Sequence, residues 1–225
     1  MNPIETAIAN GQRALSEYQS KQYLHSFGIP VTRETLVRSA DEASSAAEEI
    51  GFPVALKACS PELMHKSETG GIALNLATAD AVKQAYAEIQ EKIQIPLDGM
   101  LVQEMLKGSR ELVVGMTRDP QFGVCVMIGL GGVMAEIFKD TVFRVAPFDK
   151  TEAMDMLDEL KSKEMLKAFR GQQPVDLETL CQTLIAVGRI SLEAERIAEI
   201  DINPMIIAPD GRITAADALL ILERK

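Results

Sequence analysis

Apolar and polar residues alternate along this chain with periods that predict both helices and strands. An apolar stripe at helical spacing runs from Leu15 to Phe27 and is followed by Gly28. We expect the helix to end there, because glycine commonly ends a helix. Ser16 and Gln19 have the spacing of a capping box at its start. The sequence therefore predicts an N-terminal helix.

Short apolar runs bounded by polar turns predict strands in the first half of the chain. The runs cover residues 32–37, 53–59, 72–76 and 100–105, and helical stripes cover 39–50 and 82–93. The run 53–59 is almost wholly apolar before Lys57, which is typical of a central strand that is buried on both faces.

The second half of the chain has a similar mixture of elements after a break at Lys107-Gly108-Ser109. Predicted strands cover 111–116, 122–128, 142–145, 197–202, 205–207 and 213–217, and predicted helices cover 149–160, 162–170 and 175–190. Hairpin-like strands mixed with helices indicate an α/β or α+β protein. We expect a first lobe of residues 1–106, which includes the N-terminal helix, and a second of residues 107–225, with a ligand cleft between them.

The overall charge narrows the range of partners. The 225 residues carry a net charge of −10, and no basic run is longer than two residues, which disfavours duplex nucleic acid. ATP or ADP remains compatible with this charge, because a polyphosphate needs only a local cluster of basic residues and metal.

Other features of the sequence concern the compartment. The most apolar stretch, residues 124–130, is too short to cross a bilayer. The three cysteines are far apart, and the N-terminus lacks the pattern of a secretory signal. We therefore expect a cytoplasmic protein with reduced thiols and no membrane partner.

The loop after the predicted strand 53–59 holds residues suited to phosphoryl chemistry. Lys57 follows an apolar run, where its charge needs an anionic partner such as a phosphate. Gly70 and Gly71 close the loop, and a glycine turn lets backbone N–H groups approach phosphate oxygens. His65 lies in the loop; a neutral imidazole can attack phosphorus, although a lone loop histidine is more commonly a surface residue.

A second candidate group lies near the C-terminus. Asp201 and Asn203 are two apart on a predicted strand, so both side chains project from one face. Asp217, on a strand after a tight turn, could meet them from a neighbouring strand. Such oxygen ligands suit magnesium, which binds one or two carboxylates together with nucleotide phosphates. Taken alone, the Asp-x-Asn pattern is more simply explained as the end of a strand and the start of a turn.

Two charges and a glycine run are open to more than one interpretation. Glu111 and Arg144 each lie inside a strand-like run, where an outward-facing side chain is the default. The run Gly129-Leu130-Gly131-Gly132 lacks the spacing of a dinucleotide fingerprint, but it could form a tight loop against a ligand.

Taken in order, these motifs resemble those of ATP-grasp domains, and most nearly those of the β subunits of ADP-forming acyl-CoA synthetases such as acetate–CoA ligase. The segments that carry the resemblance are Lys57, 65–71, 103–105, 110–115, 129–132, 143–147, 201–204 and Asp217. The resemblance extends from about Ser16 to Leu222. It implies an α+β, ATP-grasp fold of two lobes with the nucleotide in the cleft between them.

The resemblance also implies which residues bind the nucleotide and its metal. Contacts with ATP or ADP would come from Lys57, Gly70, Gly71, backbone groups at Val102, Gln103, Glu104 and Met105, and Glu111. The Mg²⁺ ligands would be Asp201, Asn203 and Asp217. His65 would take a phosphoryl group from a phosphohistidine of the partner and pass it to ADP, while Arg144 would steady that group.

The family's CoA-binding portion has no counterpart in this sequence, so the resemblance implies a partner. That partner would be a CoA-binding α subunit or a fused CoA-ligase portion. Together they would convert acyl-CoA, ADP and phosphate to carboxylate, CoA and ATP. Another ATP-grasp ligase, of the succinate-type or carboxylate–amine class, and a nucleotide-sensing domain without turnover remain alternatives.

Overall fold

The computed structural model describes residues 3–63, 69–132 and 140–223. Within them the α-helices are α1 (Pro3–Ala9), α2 (Glu17–His25), α3 (Ala40–Ile50), α4 (Ala79–Lys92), α5 (Lys150–Glu159) and α6 (Leu177–Glu193), and a 3₁₀ turn covers Lys163–Leu166. The strands are β1 (Glu34–Val37), β2 (Val54–Cys59), β3 (Ile72–Leu76), β4 (Gly99–Glu104), β5 (Arg110–Asp119), β6 (Gly123–Leu130), β7 (Thr141–Val145), β8 (Ile197–Ile207), β9 (Ile213–Ala215) and β10 (Ala218–Leu222).

The smaller sheet is antiparallel, with the strand order β1-β4-β2-β3. Helices α3 and α4 cover one of its faces, and each begins at a capping side chain, Ser39 or Thr78, which accepts a hydrogen bond from the first turn. Leu56 and Ala58 of β2 belong to the core under these helices. Because side chains alternate along a strand, Lys57 projects from the other face.

The larger sheet has the order β10-β8-β5-β6-β7, and β9 pairs with β8. Helices α5 and α6 cover one face, where buried side chains of α6 such as Leu184 and Val187 join a core with Ile200 and Ile202 of β8. The opposite face of this sheet carries the residues between those isoleucines, so it is the face that presents polar side chains.

The N-terminal helix α2 packs with the larger sheet, although chain order had placed it in the first lobe. Leu15 and Leu24 belong to the core of the larger sheet, and Ser20 Oγ accepts a hydrogen bond of 3.2 Å from the Leu220 backbone of β10. An apolar stripe predicts that a helix buries one face, but it does not specify the sheet that the helix covers. The small lobe therefore begins near β1.

The predicted helix 162–170 is mostly absent, because only the turn Lys163–Leu166 is helical. Arg110 of β5 is buried, and its guanidinium donates to the carbonyls of Met165 and Lys167 at 2.9 and 3.1 Å. A continued helix would use those carbonyls for its own N–H groups. The predicted strands 197–202 and 205–207 also differ, since they form the single strand β8.

Among residues 3–63, 69–132 and 140–223, no helix combines the length and apolar character needed to cross a membrane.

Candidate functional site

Lys57 lies in the cleft between the two sheets and is almost fully buried, with 6% of its surface exposed. Its Nζ donates to Glu17 Oε1 of α2 at 2.8 Å and to the Ala216 carbonyl at 2.9 Å. Asp217 Oδ2 lies 3.8 Å away. The buried ammonium therefore contacts groups that all belong to the body of the larger sheet.

The structure brings Asp201, Asn203 and Asp217 together, as the strand pattern predicts. Ile200 and Ile202 are buried in the core, so Asp201 and Asn203 project from the opposite, open face of β8. Asp217 immediately precedes β10, and its carbonyl accepts a hydrogen bond of 3.2 Å from the Asn203 backbone. Of these oxygen-bearing side chains, Asp217 is the one recorded beside Lys57.

The surroundings of Asp201 disfavour the charged form of its carboxyl group. Burial, together with the carboxylates of Glu199 and Asp217, raises the pKa of Asp201 to about 6. In the part of the chain that the structure describes, no three His, Cys, Asp or Glu side chains cluster closely enough to enclose a metal by themselves. Two carboxylates and an amide fit Mg²⁺, which usually completes its coordination with water and substrate phosphates.

Glu111 and the glycine run form a tight contact on the same open face. Glu111 lies on β5 in the same alternation as Gly115, which pairs with Asp201. Gly131 N donates to the Glu111 carbonyl at 2.8 Å, and a Cβ added at Gly132 would lie 3.0 Å from Glu111 Oε2. The glycines therefore let the loop pass directly over Glu111.

Residues Val102 to Met105 leave the smaller sheet along its inner strand β4. Val102 and Gln103 are paired with both β1 and β2. The Gln103 side chain accepts from Lys21 at 2.9 Å, and the Glu104 carboxylate accepts from Arg33. Met105 is the first residue beyond the strand. Of this segment, it is the backbone at Met105 that lies outside the sheet pairings.

Gly70 and Gly71 lie next to Lys57, because Lys57 pairs with Ile72 at the start of β3. The Gly71 carbonyl accepts a hydrogen bond of 2.8 Å from Ala58, and Gly70 has a φ of 72°, which glycine adopts without strain. This end of the loop is thus fastened to the strand that carries Lys57. His65 lies outside the described residues.

Arg144 lies on the other face of the larger sheet, away from the cleft. It pairs with Val126 of β6, whose side chain is in the helix-covered core, and its Nη2 donates to Glu159 of α5 at 2.8 Å. Phe143 and not Arg144 has the alternation of the open face. The Arg144 side chain therefore lies away from the cleft, where the resemblance implied that it would steady the phosphoryl group.

Three buried charges that sequence reasoning missed surround Lys57. Lys21 of α2 is wholly buried, forms an ion pair with Glu17 at 2.8 Å, and forms another with Glu34 of β1. Burial opposes the charged form, but the two carboxylates outweigh it and raise the pKa of Lys21. The available signal was an acid and a base four apart on α2, which usually marks a solvated helix face.

This arrangement, in which a lysine from one antiparallel sheet faces carboxylates from a second, is that of an ATP-grasp domain. A family model described as an ATP-grasp domain matches residues 6–222. The predicted α+β, ATP-grasp fold is therefore confirmed.

Curated relatives define the branch of the family. The β subunit of acetate–CoA ligase (ADP-forming) I from Pyrococcus furiosus is 42% identical over 97% of this chain and 96% of its own length. Acetate–CoA ligase (ADP-forming) I from Archaeoglobus fulgidus is 38% identical over 92% of this chain, and the match covers 31% of that longer protein. The chain belongs to the ATP-grasp family of ADP-forming acetate–CoA ligase β subunits.

Solved structures agree with this assignment. Dinucleotide-forming acetyl-coenzyme A synthetase 1 of Ca. Korarchaeum cryptofilum, in complex with coenzyme A, Ca-AMPCP and HgCl⁺, superposes with a TM-score of 0.92 at 45% identity, covering 98% of each chain. A second structure of that protein contains coenzyme A and Mg-AMPPCP, with a phosphohistidine segment that points towards the nucleotide-binding site. It superposes with a TM-score of 0.87 at 44% identity over 99% of each chain.

Proposed function

We propose that this chain binds ADP or ATP with Mg²⁺ and transfers a phosphoryl group between a histidine and the nucleotide. It would serve as the nucleotide-binding subunit of an ADP-forming acyl-CoA synthetase, which converts acyl-CoA, ADP and phosphate to carboxylate, CoA and ATP. The observation that carries the proposal is the buried Lys57 ammonium 3.8 Å from Asp217, where the two sheets meet.

Lys57 and the adjacent glycines would bind the phosphates. Lys57 supplies a positive charge at the floor of the cleft, and Gly70 and Gly71 supply backbone that a phosphate can approach closely. Phosphoryl transfer asks a protein chiefly to position the reactants and to neutralise charge. Both requirements match a buried ammonium fixed by Glu17 and the Ala216 carbonyl.

Asp201, Asn203 and Asp217 would hold the Mg²⁺ ion. When bound, the ion supplies charge neutralisation between phosphate oxygens. Burial and neighbouring carboxylates raise the pKa of Asp201 and so disfavour its charged form, and a bound cation would stabilise that form. Glu111, on the same face, would help to fix the nucleotide beside the metal.

The nucleobase would lie at the end of β4. Of the predicted segment, the side chains of Gln103 and Glu104 are bonded to Lys21 and Arg33, and Val102 is buried. Recognition of adenine would therefore rely on backbone groups, with Met105 supplying groups that lie beyond the paired strand.

His65 would carry the phosphoryl group. The Nε2 or Nδ1 atom of its neutral imidazole attacks the phosphorus of the partner's phosphohistidine, and the P–N bond to the partner breaks as the new one forms. ADP then attacks the phosphorus, which leaves His65 neutral again and forms ATP. We exclude Arg144 from this step because its side chain pairs with Glu159 on the opposite face.

The CoA-binding partner is either a separate α subunit or a fused portion of a longer chain. The Pyrococcus furiosus relative is a β subunit of matching length. The Archaeoglobus fulgidus relative is a longer protein, and the match covers 31% of it. We place the reaction in the cytoplasm, since the three cysteines lie far apart in the sequence without the spacing of a disulfide framework.

Labelling with γ-phosphate-labelled ATP and Mg²⁺ tests the proposal. We expect the wild-type chain to acquire phosphate that is lost in acid and stable in base, as a phosphohistidine is, and we expect His65→Asn to acquire none. A carboxylate–amine ligase or a nucleotide-sensing domain would give no such label on either protein. Equal labelling of wild type and His65→Asn would also contradict the proposal.

A further inference from the structure

Glu17, Lys21, Glu34 and Lys57 form a buried charge array between the two sheets. Both ammonium groups lie 2.8 Å from the same oxygen, Glu17 Oε1, and Lys21 also pairs with Glu34. The side chains of Glu17 and Lys21 have no exposed surface. Burial of charges costs free energy unless they are paired with good geometry, so the array is weak evidence for stabilisation and its effect on the position of the Lys57 ammonium is the more informative property.

The array joins two separately packed bodies. Glu17 and Lys21 belong to α2, which packs in the core of the larger sheet. Lys57 and Glu34 belong to the smaller sheet, and Gln103 of that sheet accepts a further bond from Lys21 at 2.9 Å. Charged side chains of α2 therefore contact the smaller sheet, although the helix packs in the core of the larger one.

The array determines where the Lys57 ammonium points. An ammonium has three N–H donors. Glu17 Oε1 and the Ala216 carbonyl accept two of them at 2.8 and 2.9 Å. Asp217 Oδ2, at 3.8 Å, is beyond hydrogen-bonding distance. The third N–H has no recorded acceptor among the described residues, so it is the donor that a phosphate oxygen in the cleft could accept from.

We propose that Glu17 is a positioning residue for the phosphate-binding lysine. Its carboxylate, held by Lys21 within α2, fixes Lys57 so that one N–H is presented to a phosphate oxygen. Lys21 also reaches the Ala216 carbonyl at 3.4 Å, so the turn that carries Asp217 is fastened to the same array. This inference rests on the proposed binding of nucleotide phosphates at Lys57.

Glu34 provides a matched control for Glu17. Both are glutamates with almost no side-chain exposure, and both pair with Lys21. Of these two glutamates, Glu17 is the one recorded as accepting a hydrogen bond from Lys57. Neutralising either residue should lower stability, but only the loss of the Glu17 charge should release the Lys57 ammonium.

The experiment compares wild type, Glu17→Gln and Glu34→Gln in the full chain by calorimetric titration with ADP in excess Mg²⁺, with thermal unfolding as a second readout. We expect Glu17→Gln to weaken ADP binding by about tenfold or more, the value of about one charge-assisted hydrogen bond. We expect Glu34→Gln to weaken ADP binding by less than about threefold. Its melting temperature should fall by about as much as that of Glu17→Gln.

Two results would overturn the inference. One is wild-type affinity in Glu17→Gln, and the other is an equal loss of affinity in both variants, which would make the array purely structural. If Glu17→Gln shows no cooperative unfolding, Glu17→Asp, which retains the charge but withdraws the carboxylate, is judged by the same criteria. A wild-type chain that does not bind ADP would instead overturn the proposed function together with this inference.

Discussion

The Lys57 ammonium lies 3.8 Å from the Asp217 carboxylate, so a cation of the smaller sheet meets an anion of the larger sheet at the floor of the cleft. Asp217 in turn adjoins Asn203 through a backbone hydrogen bond of 3.2 Å. A phosphate and its metal bound here would contact both lobes at once. Nucleotide binding at this position would depend on the relative placement of the two sheets.

Replacement of Lys57 by Met should weaken ADP binding by about 10- to 100-fold, because a hydrogen bond from a charged donor contributes about 1.5–3 kcal/mol. Calorimetric titration measures the effect. Arg144→Met removes a cation from the opposite face of the larger sheet and serves as the control, with affinity expected to stay within about twofold of wild type. Equal losses in the two variants would contradict the assignment of Lys57.

The Asp217→Asn substitution should raise the Mg²⁺ concentration needed for half-maximal ADP binding by on the order of tenfold, because a neutral amide is a weaker ligand for a hard cation. A magnesium titration at fixed ADP, followed by protection from thermal unfolding, provides the measurement. Asp41→Asn, at an exposed aspartate with 88% of its side chain accessible, should leave the magnesium dependence unchanged. An unaltered dependence in Asp217→Asn would remove Asp217 from the metal site.

The raised pKa of Asp201 predicts a specific dependence of stability on pH in metal-free protein. The folded-state pKa is about 6, against an ordinary value of 3.8. Between these values the unfolded chain ionises while the folded chain keeps its proton, so stability falls as pH rises and the penalty is complete above pH 6. At 1.36 kcal/mol per pKa unit, the penalty is at most about 3 kcal/mol, and solvent screening reduces it.

The Asp201→Asn substitution replaces the carboxylate with a neutral amide and should remove that penalty. In EDTA at pH 7.5 we expect this variant to be more stable than wild type by about 1–3 kcal/mol, and at pH 4 we expect the difference to be near zero. Urea denaturation at a series of pH values provides the free energies of unfolding. A variant less stable than wild type at pH 7.5 would show that the Asp201 charge is not under electrostatic strain.

Gly211 should be intolerant of a side chain. It has a φ of +89°, and an added Cβ would lie 2.1 Å from the Pro174 carbonyl oxygen. Gly123, with a φ of +79° and nothing within 4 Å of an added Cβ, is the matched control. Gly123→Ala should cost about 1–2 kcal/mol of backbone strain, and Gly211→Ala about 1–3 kcal/mol more through overpacking. Equal melting temperatures for the two variants would contradict this placement of the turn before β9.

Strand alternation was sufficient to predict that the side chains of the proposed metal-binding group share one face of the sheet. Asp201 and Asn203 share a face because they are two apart on β8, and the short turn before Asp217 returns the chain beside them. The apolar run around Lys57 indicates a buried position, and the structure agrees, with 6% of the residue's surface exposed.

Alternation could not specify which face of a strand meets the cleft. Arg144 was expected near the phosphate, yet it pairs with Glu159 of α5. Tertiary packing determines which face of the sheet this helix covers, and strand alternation does not reveal it. The array around Glu17 and Lys21 was missed for a similar reason. An acid and a base four apart on a helix indicate a solvated face, unless a second sheet buries them, which no local pattern reveals.

The most direct test of the central claim is a crystal structure with Mn²⁺ and ADP, using anomalous scattering to locate the metal. We predict an anomalous peak bonded to carboxylate oxygens of Asp201 and Asp217, with the ADP phosphates in contact with Lys57. A metal peak remote from both aspartates, or a nucleotide outside the cleft between the two sheets, would contradict it.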